Sequence, residues 1–145
     1  MRCDEIMKRD VKSIGPDAPV QEAAQVMRDE NVGFLPVCVD DNQVIGTLTD
    51  RDITIRLVAD GQSMTSAVEN IMSGQVVNCR PGDDLKQAEE LMAENGKSRI
   101  IVTDEDGGLL GVISLSDIAQ AEESERLAAT LRRVTAREAE APLIH

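Results

Sequence analysis

The feature that most constrains this chain is an internal repeat. When the sequence is shifted by 65 residues against itself, 11 of the 48 positions from Ile6 to Ile53 are identical, without a gap. The identities include Ile6-Met7 with Ile71-Met72, Gly46 with Gly111, and Asp52-Ile53 with Asp117-Ile118. Self-similarity at a constant spacing indicates two copies of one supersecondary unit. We therefore predict a first copy over residues 1–60, a linker over 61–68, a second copy over 69–125 and a helical tail over 126–145.

Each copy predicts a strand, a helix, two strands and a second helix. Pro19 precedes apolar residues at helical spacing, and proline is tolerated in the first turn of a helix. Acidic and glycine residues then separate two β-branched runs, which is a hairpin signal. A copy of about 55 residues buries too little of its surface to be more than marginally stable alone. We therefore predict an α/β (α+β) fold with two tandem β-α-β-β-α motifs that are related by a pseudo-two-fold axis and share one core.

Charge and composition exclude several classes of function. The chain has 27 acidic and 15 basic residues, a net charge of -12, and a single aromatic residue, Phe34. Such a protein repels nucleic acid and lacks the aromatic side chains on which bases stack. Its one histidine, His145, cannot build a histidine-ligated zinc site or a Ser-His-Asp triad. We expect no nucleic-acid partner, no metal and no catalytic residues.

The cysteines and the hydropathy pattern predict a cytoplasmic location. Cys3, Cys38 and Cys79 are an odd number without C-x-x-C spacing, which is typical of reduced thiols in an intracellular protein. The first ten residues are too polar for a signal peptide, and no apolar run is long enough to span a membrane. Because the thiols have no histidine partner, we also expect them to be structural rather than reactive.

The duplicated motifs resemble the CBS domain, the cystathionine-β-synthase type. The first copy carries this resemblance in Leu35-Pro36-Val37-Cys38-Val39-Asp40-Asp41 and in Gly46–Ile53. The second copy carries it in Ser98–Asp104 and in Gly111–Ile118. Two such motifs in tandem form a CBS pair, or Bateman module. The resemblance implies a stand-alone regulatory module that binds an adenosyl ligand between its motifs, signals to a partner protein and associates as a homodimer. AMP, ADP or ATP are the expected ligands, with S-adenosylmethionine or NAD possible.

Two hydroxyl-x-x-Asp motifs are the main candidates for a binding site. Thr49 and Asp52 form one motif, and Ser114 and Asp117 form the other. Each motif fits a helix capping box, in which the two side chains satisfy backbone N–H groups. The same geometry suits a nucleotide, because a carboxylate can accept both hydroxyls of a ribose and a helix start favours phosphate. The residues alone leave both interpretations open.

The resemblance implies further residues around these motifs. Arg51, Lys97 and Arg99, with Arg56 nearby, are the cations that could hold phosphates. Ser114 and Asp117 would share a cleft with Ala18, Ala23, Val32 and Gly33. Thr49 and Asp52 would share one with Asp83, Ala88, Lys97 and Ser98. Val112, Ile14, Thr47, Leu35 and Ile100 could line an apolar adenine slot. Because the cations differ between the clefts, we expect two inequivalent sites, or one occupied and one empty.

The tail predicts a helix with a narrow apolar stripe. Leu127, Leu131 and Val134 recur at spacings of four and three residues. Such a stripe suits a partner helix, and the same tail of a second chain is the simplest partner. We therefore expect the tail to add contact area to a homodimer. The alternative to a ligand sensor is a ligand-free protein-interaction or dimerisation module.

Overall fold

The computed structural model describes residues 1–40, 42–121 and 124–140, and it confirms the predicted α/β class. Two strands form one sheet, in the order β1-β2, and three strands form the other, in the order β3-β4-β5. The strands are β1 Phe34–Val39, β2 Gln43–Thr49, β3 Asn78–Cys79, β4 Arg99–Thr103 and β5 Leu109–Ser114. The helices are α1 Val20–Glu30, α2 Asp50–Asp52, which continues as a π-helical stretch Ile53–Val58, α3 Leu85–Asn95, α4 Leu115–Ala121 and α5 Ser124–Glu140.

The chain forms two compact modules, and each includes a segment that precedes the other repeat. The first module consists of Asp10–Val76 with Asp106–Leu109. The second consists of Met1–Arg9, Val77–Glu105 and the chain from Leu110 onward. We call Met1–Arg9 the N-terminal strap and residues 68–76 the inter-repeat strap. The repeat boundaries in the sequence are therefore not the boundaries of the compact modules.

Backbone hydrogen bonds hold each strap to the second strand of a hairpin. In the second module, the N–H of Lys8 donates to the carbonyl of Val112 and the N–H of Val112 donates to the carbonyl of Lys8, both at 3.0 Å. In the first module, Ser73 and Thr47 make the same reciprocal pair at 2.9 Å. The 65-residue shift relates the two pairs. Each repeat therefore begins with a strap that pairs with the hairpin of the other repeat, and we call this arrangement the strap exchange.

Glycine is required where each strap crosses its strand. A Cβ on Gly111 would lie 2.7 Å from the carbonyl oxygen of Lys8, and one on Gly46 would lie 2.7 Å from that of Ser73. Both distances are shorter than real Cβ contacts, and the obstacle is backbone rather than a flexible side-chain end. The identity of Gly46 and Gly111 in the repeat therefore has a steric cause.

The straps also complete the hydrophobic cores. Cys3 and Met7 of the N-terminal strap are buried among the core side chains of the second module. Val68 and Ile71 of the inter-repeat strap are buried in the core of the first. The rest of the second core is Cys79, Leu85, Ala88, Met92, Ile100, Val102, Ile113, Ile118 and Val134, and the rest of the first is Ile14, Val20, Ala23, Met27, Leu35, Val37, Leu48 and Leu57.

The linker predicted over residues 61–68 caps a helix instead of only joining the repeats. The N–H of Val20 donates to the carbonyl of Ser66 at 2.9 Å, and the N–H of Gln21 donates to that of Met64 at 3.1 Å. These N–H groups at the start of α1 have no partner within the helix. Pro19, the N-cap of α1, has no side-chain cap to offer, so the linker supplies the acceptors.

The described part of the tail packs on its own chain, and the expected contact with a second chain stays a prediction. Helix α5 packs against α3 of the same chain, and Val134 belongs to the core of the second module. The Thr130 hydroxyl donates to the buried Glu89 carboxylate at 3.1 Å. Glu89 is buried on α3, and a buried carboxylate needs partners, one of which this hydroxyl supplies. Residues 141–145 of the predicted tail lie outside the described residues.

An ion pair at the surface of the same helix pair adds a pH-dependent contact. The two terminal nitrogens of Arg133 donate to the two carboxylate oxygens of Glu90 at 2.7 and 3.0 Å. This pairing lowers the pKa of Glu90 below its usual value. The ionised form is therefore favoured in the fold, and its contribution to stability is present at neutral pH and is lost as the pH falls through the lowered pKa.

We predict that Gly111→Ala destabilises the protein by about 1–3 kcal/mol, since an added methyl group must push the N-terminal strap off β5. Gly46→Ala should have a similar cost in the first module. Gly74→Ala is the matched control, because a Cβ there meets nothing within 4 Å. Urea unfolding of the three variants measures the difference. Equal stability of Gly111→Ala and Gly74→Ala would contradict the steric argument.

We predict that Thr130→Val costs about 1–3 kcal/mol of unfolding free energy, because it leaves the buried Glu89 carboxylate without its hydroxyl donor. The control is Thr135→Val, whose hydroxyl donates only within α5, to the carbonyls of Leu131 and Arg132. Urea unfolding of the two variants should separate them. A tail that does not pack on α3 in solution would make both substitutions equally mild.

Candidate functional site

Both hydroxyl-x-x-Asp motifs form helix capping boxes at the end of a hairpin. The N–H of Asp52 donates to the Thr49 hydroxyl at 3.1 Å, and the N–H of Thr49 donates to Oδ2 of Asp52 at 2.9 Å. The N–H of Asp117 donates to the Ser114 hydroxyl at 3.2 Å, and the N–H of Ser114 donates to Oδ2 of Asp117 at 2.9 Å. The capping interpretation is therefore correct for both motifs.

The capping box uses one carboxylate oxygen of each aspartate, and the other oxygen faces a cation. Oδ1 of Asp117 lies 3.5 Å from the ammonium nitrogen of Lys8. Oδ1 of Asp52 lies 3.9 Å from Nε of Arg56. The side chains of Asp117 and Asp52 are 12% and 17% exposed. Each carboxylate is thus oriented by its cap and partly exposed, and its Oδ1 is not used by the cap and can accept from a ligand hydroxyl.

Lys8 is a residue that the motif analysis did not identify. It belongs to the N-terminal strap, far from Asp117 in sequence, and its backbone is held against β5 by the pair with Val112. Its side chain is 72% exposed, so the ammonium can turn toward a ligand. The sequence signal was indirect: the 65-residue shift relates Lys8 to Ser73, so the two modules differ in charge at this position.

The loop before the first hairpin strand lies beside each capping box. In the second module, the N–H of Leu115 donates to the carbonyl of Ser98 at 3.0 Å, which places Ser98 at the start of α4. In the first module, the N–H of Asp50 donates to the carbonyl of Gly33 at the same distance. The structure thus brings Ser98 to Ser114 and Gly33 to Thr49, each within one module.

The remaining cation candidates have different settings. Arg51 is exposed in α2 and directly follows the residue that contacts Gly33. Arg99 is exposed at the start of β4, one residue after Ser98. Lys97 is half-buried, and its N–H closes the end of α3 on the carbonyl of Met92 at 2.9 Å. Lys97 and Arg99 therefore belong to the same module as Asp117, and Arg51 belongs to that of Asp52.

The apolar residues proposed for an adenine slot mostly fill the cores. Leu35 and Ile100 are completely buried and Ile14 nearly so, each within the core of its own module. Ala23 and Ala88 are also completely buried, on the inner faces of α1 and α3. Small residues are needed there because the helices pack closely on the sheets. Leu35, Ile100, Ala23 and Ala88 have no exposed surface within the chain, and Ile14 is 7% exposed. None of the five takes part in the site proposed below.

Other predicted residues have polar backbone roles or exposed surface. The carbonyl of Ala18 accepts from the N–H of Val68 at 2.9 Å, which secures the inter-repeat strap. Val32 is an exposed apolar residue directly before Gly33. Val112 is buried on β5, where both its N–H and its carbonyl pair with Lys8. Asp83 is half-buried, and its carboxylate accepts from the N–H of Arg80 at 2.9 Å.

The described residues include neither a metal-binding cluster nor a helix that could cross a membrane. Within residues 1–40, 42–121 and 124–140, no three His, Cys, Asp or Glu side chains gather in a way that could hold a metal ion. Within the same ranges, no helix combines the length and apolar character that crossing a membrane requires.

The chain is therefore a module of two tandem motifs, and each motif is an α/β unit with a capping box directly after its hairpin. The CBS-domain family matches residues 3–59 and 68–124. Because the two matches cover most of the sequence, this chain belongs to the CBS-domain family as a tandem pair.

Individual relatives agree with this assignment. The CBS domain-containing protein YhcV of Bacillus subtilis is 36% identical over 113 residues, which are 78% of this chain and 79% of that protein. The CBS domain protein PAE2072 from Pyrobaculum aerophilum, solved in complex with AMP, has a TM-score of 0.77 and 23% identity, covering 90% of this chain and 98% of that chain.

A third similar structure is the CBS domain pair of protein MJ0100 in complex with 5'-methylthioadenosine and S-adenosyl-L-methionine. It has a TM-score of 0.75 and 19% identity, covering 83% of this chain and 94% of that chain. At these identities, PAE2072 and MJ0100 show a shared fold.

Proposed function

We propose that this CBS pair is a regulatory module that binds an adenosyl ligand at its two capping boxes. The observation that carries the proposal is that the two carboxylate oxygens of each aspartate have different contacts. Oδ2 of Asp117 accepts in the cap, and Oδ1 lies outside the cap, 3.5 Å from the ammonium of Lys8. Asp52 repeats the arrangement. AMP in PAE2072, and methylthioadenosine and S-adenosylmethionine in MJ0100, support an adenosyl ligand.

The ribose is the part of such a ligand that the carboxylate recognises. Its two neighbouring hydroxyls donate, and an ionised carboxylate only accepts, so the pairing is complementary. A hydrogen bond to a charged group contributes about 1.5–3 kcal/mol. The capping box keeps the carboxylate in place before the ligand arrives, so little side-chain entropy is lost on binding.

In this site, cationic side chains rather than backbone N–H groups would bind the phosphates of the ligand. The N–H groups of Ser114 and Asp117 already donate within the capping box and are not available to a ligand. Lys8 and Arg99 are the exposed cations of the second module near its capping box, and Arg56 and Arg51 are those of the first. Arginine offers a planar fork to phosphate and lysine a point charge. We therefore propose two inequivalent sites, and AMP, ADP or ATP as ligands.

The ligand would act by changing the population of conformations that a partner protein recognises. We propose a cytoplasmic homodimer as the working form, and the regulated partner is a protein outside this chain. Exposed apolar side chains of the first module support a contact surface: Ile55 is 46% and Val58 66% exposed. Deleting the tail is no clean test of the dimer, because it would remove Val134 from the core of the second module.

The second candidate function is a ligand-free interaction module. The exposed apolar residues Ile55 and Val58 also favour it. A thermal-shift panel with AMP, ADP, ATP, NAD and S-adenosylmethionine separates the two, because a ligand that binds the native state raises the melting temperature. A shift with at least one ligand supports the sensor. If none of the ligands changes the melting temperature, the result favours the ligand-free interaction module. The sensor proposal includes no reaction, so chromatography should recover the ligand unchanged.

We predict that Asp117→Ala weakens binding of the adenosyl ligand at least tenfold, because the ribose loses a charged acceptor. It should also cost about 1 kcal/mol of stability as a lost cap. The control is Asp84→Ala, which removes the capping box of α3 and belongs to neither motif. Asp84→Ala should lower the free energy of unfolding by a similar amount and leave the ligand affinity unchanged. Calorimetric titration that finds unchanged affinity in Asp117→Ala would reduce this motif to a cap alone.

We predict that Lys8→Ser lowers the affinity of the second-module site for AMP several-fold and leaves the affinity for adenosine nearly unchanged, because adenosine has no phosphate. The serine is the residue that stands at the equivalent position of the first module, Ser73. The reciprocal change, Ser73→Lys, should strengthen AMP binding at the first-module site. Equal losses for AMP and adenosine in Lys8→Ser would show that Lys8 only supports the fold.

A further inference from the structure

Two of the three cysteines meet inside the second module. Sγ of Cys79 in β3 lies 3.7 Å from Sγ of Cys3 in the N-terminal strap. Cys3 is completely buried, and Cys79 is 4% exposed. The two residues are 76 positions apart in sequence. Their contact is thus a tertiary contact between the strap and the sheet that it covers.

The repeat shows that packing alone does not require sulfur here. The 65-residue shift relates Cys3 to Val68 and Cys79 to Ile14. Both aliphatic residues are buried in the core of the first module. The second module therefore carries a thiol at both of the positions where the first carries a hydrocarbon. Two thiols in contact permit a covalent bond, which a valine and an isoleucine cannot form.

The surrounding backbone holds the strap in position for such a bond. The N–H of Cys3 donates to the carbonyl of Asp83 at 2.9 Å, and the N–H of Leu85 donates to that of Met1 at 2.7 Å. The sulfur atoms are in van der Waals contact, and a disulfide brings them to about 2.05 Å. Forming the bond therefore requires the strap and β3 to bring the two sulfur atoms closer together.

We propose that Cys3 and Cys79 form a reversible disulfide by exchange with a low-molecular-weight disulfide, and that this bond fastens the N-terminal strap to the second module. Transient opening of the strap gives the reagent access to the two sulfurs. Intracellular disulfides are usually transient or redox-sensing. The bond would hold in place the segment that carries Lys8 across β5, independently of whether the site beside it takes a ligand.

The exchange is balanced in atoms and electrons. The Cys3 thiolate attacks one sulfur of the small disulfide, forming a mixed disulfide and releasing one small thiolate. Cys79 then loses its proton and attacks Sγ of Cys3, which releases the second small thiol. The protein loses two electrons and two protons, and the small disulfide is reduced to two thiols. The reverse exchange with excess small thiol reopens the bond.

The environment of the pair favours Cys3 as the attacking sulfur. The hydrogen bond that Cys79 donates lowers the pKa of Cys3. The same bond, together with burial, raises the pKa of Cys79. Cys38, the third thiol, is half-buried in β1, and burial raises its pKa. Thiolate is the reactive form, so exchange should begin at Cys3.

The test uses the full chain equilibrated in glutathione buffers from fully reduced to fully oxidised. After unfolding and alkylation, intact mass should show three labelled cysteines in the reduced protein and one in the oxidised protein. Peptide mapping should find Cys3 linked to Cys79. Cys38→Ser should still lose two labelled thiols on oxidation. Cys3→Val and Cys79→Ile, which install the residues of the first module, should keep the two cysteines that remain in each variant.

The disulfide should also raise the melting temperature by roughly 5 °C or more, because it closes a long loop. Dithiothreitol should reverse the shift, and Cys3→Val should show none. The proposal is overturned if all three thiols stay labelled in oxidised glutathione, if only glutathione adducts or links between chains form, or if Cys38 is the linked residue. An intramolecular bond without a rise in melting temperature would overturn the fastening of the strap.

Discussion

The reciprocal pairing between each strap and the opposite repeat is the interaction on which the rest of the structure depends. Each strap is held by one reciprocal backbone pair, Lys8 with Val112 or Ser73 with Thr47. Each strap nevertheless contributes two side chains to a core and crosses its strand at a glycine where a Cβ would clash with the backbone. Without its strap, either module would lose buried apolar area and expose the backbone of its hairpin. The two repeats therefore stabilise each other through chain exchange, although each has its own core.

The same pairing brings chemistry to the candidate site. Because Lys8 lies on β5 opposite Val112, its ammonium reaches the carboxylate oxygen of Asp117 that the cap does not use. In the first module, Ser73 occupies the equivalent place, and Arg56 approaches Asp52 from the helix side. One repeat geometry with different side chains thus produces two sites of different charge. In the function proposed above, two such sites would distinguish ligands by their phosphates while binding the same ribose.

The sequence predicted what depends on local pattern. The repeat, the hairpins and both capping boxes follow from spacing and turn residues, and they are present as expected. The strap exchange leaves no periodic signal, because a single backbone pair fixes it. The packing of the tail on α3 was not predicted, because the burial of Glu89 on α3 is visible only in three dimensions. Leu35, Ile100 and Ile14 were assigned to a ligand slot because apolar residues of a core and of a pocket look alike in sequence.

Native-state hydrogen exchange of the full chain tests the strap exchange most directly. The amide of Lys8 should exchange as slowly as those of β4 and α3, although it lies near the N-terminus, and the amide of Ser73 should exchange with those of α1 and β1. Protection would then group residues by module and not by repeat. If the Lys8 amide exchanges at the rate of an open chain end while β4 stays protected, the strap is not part of the second module.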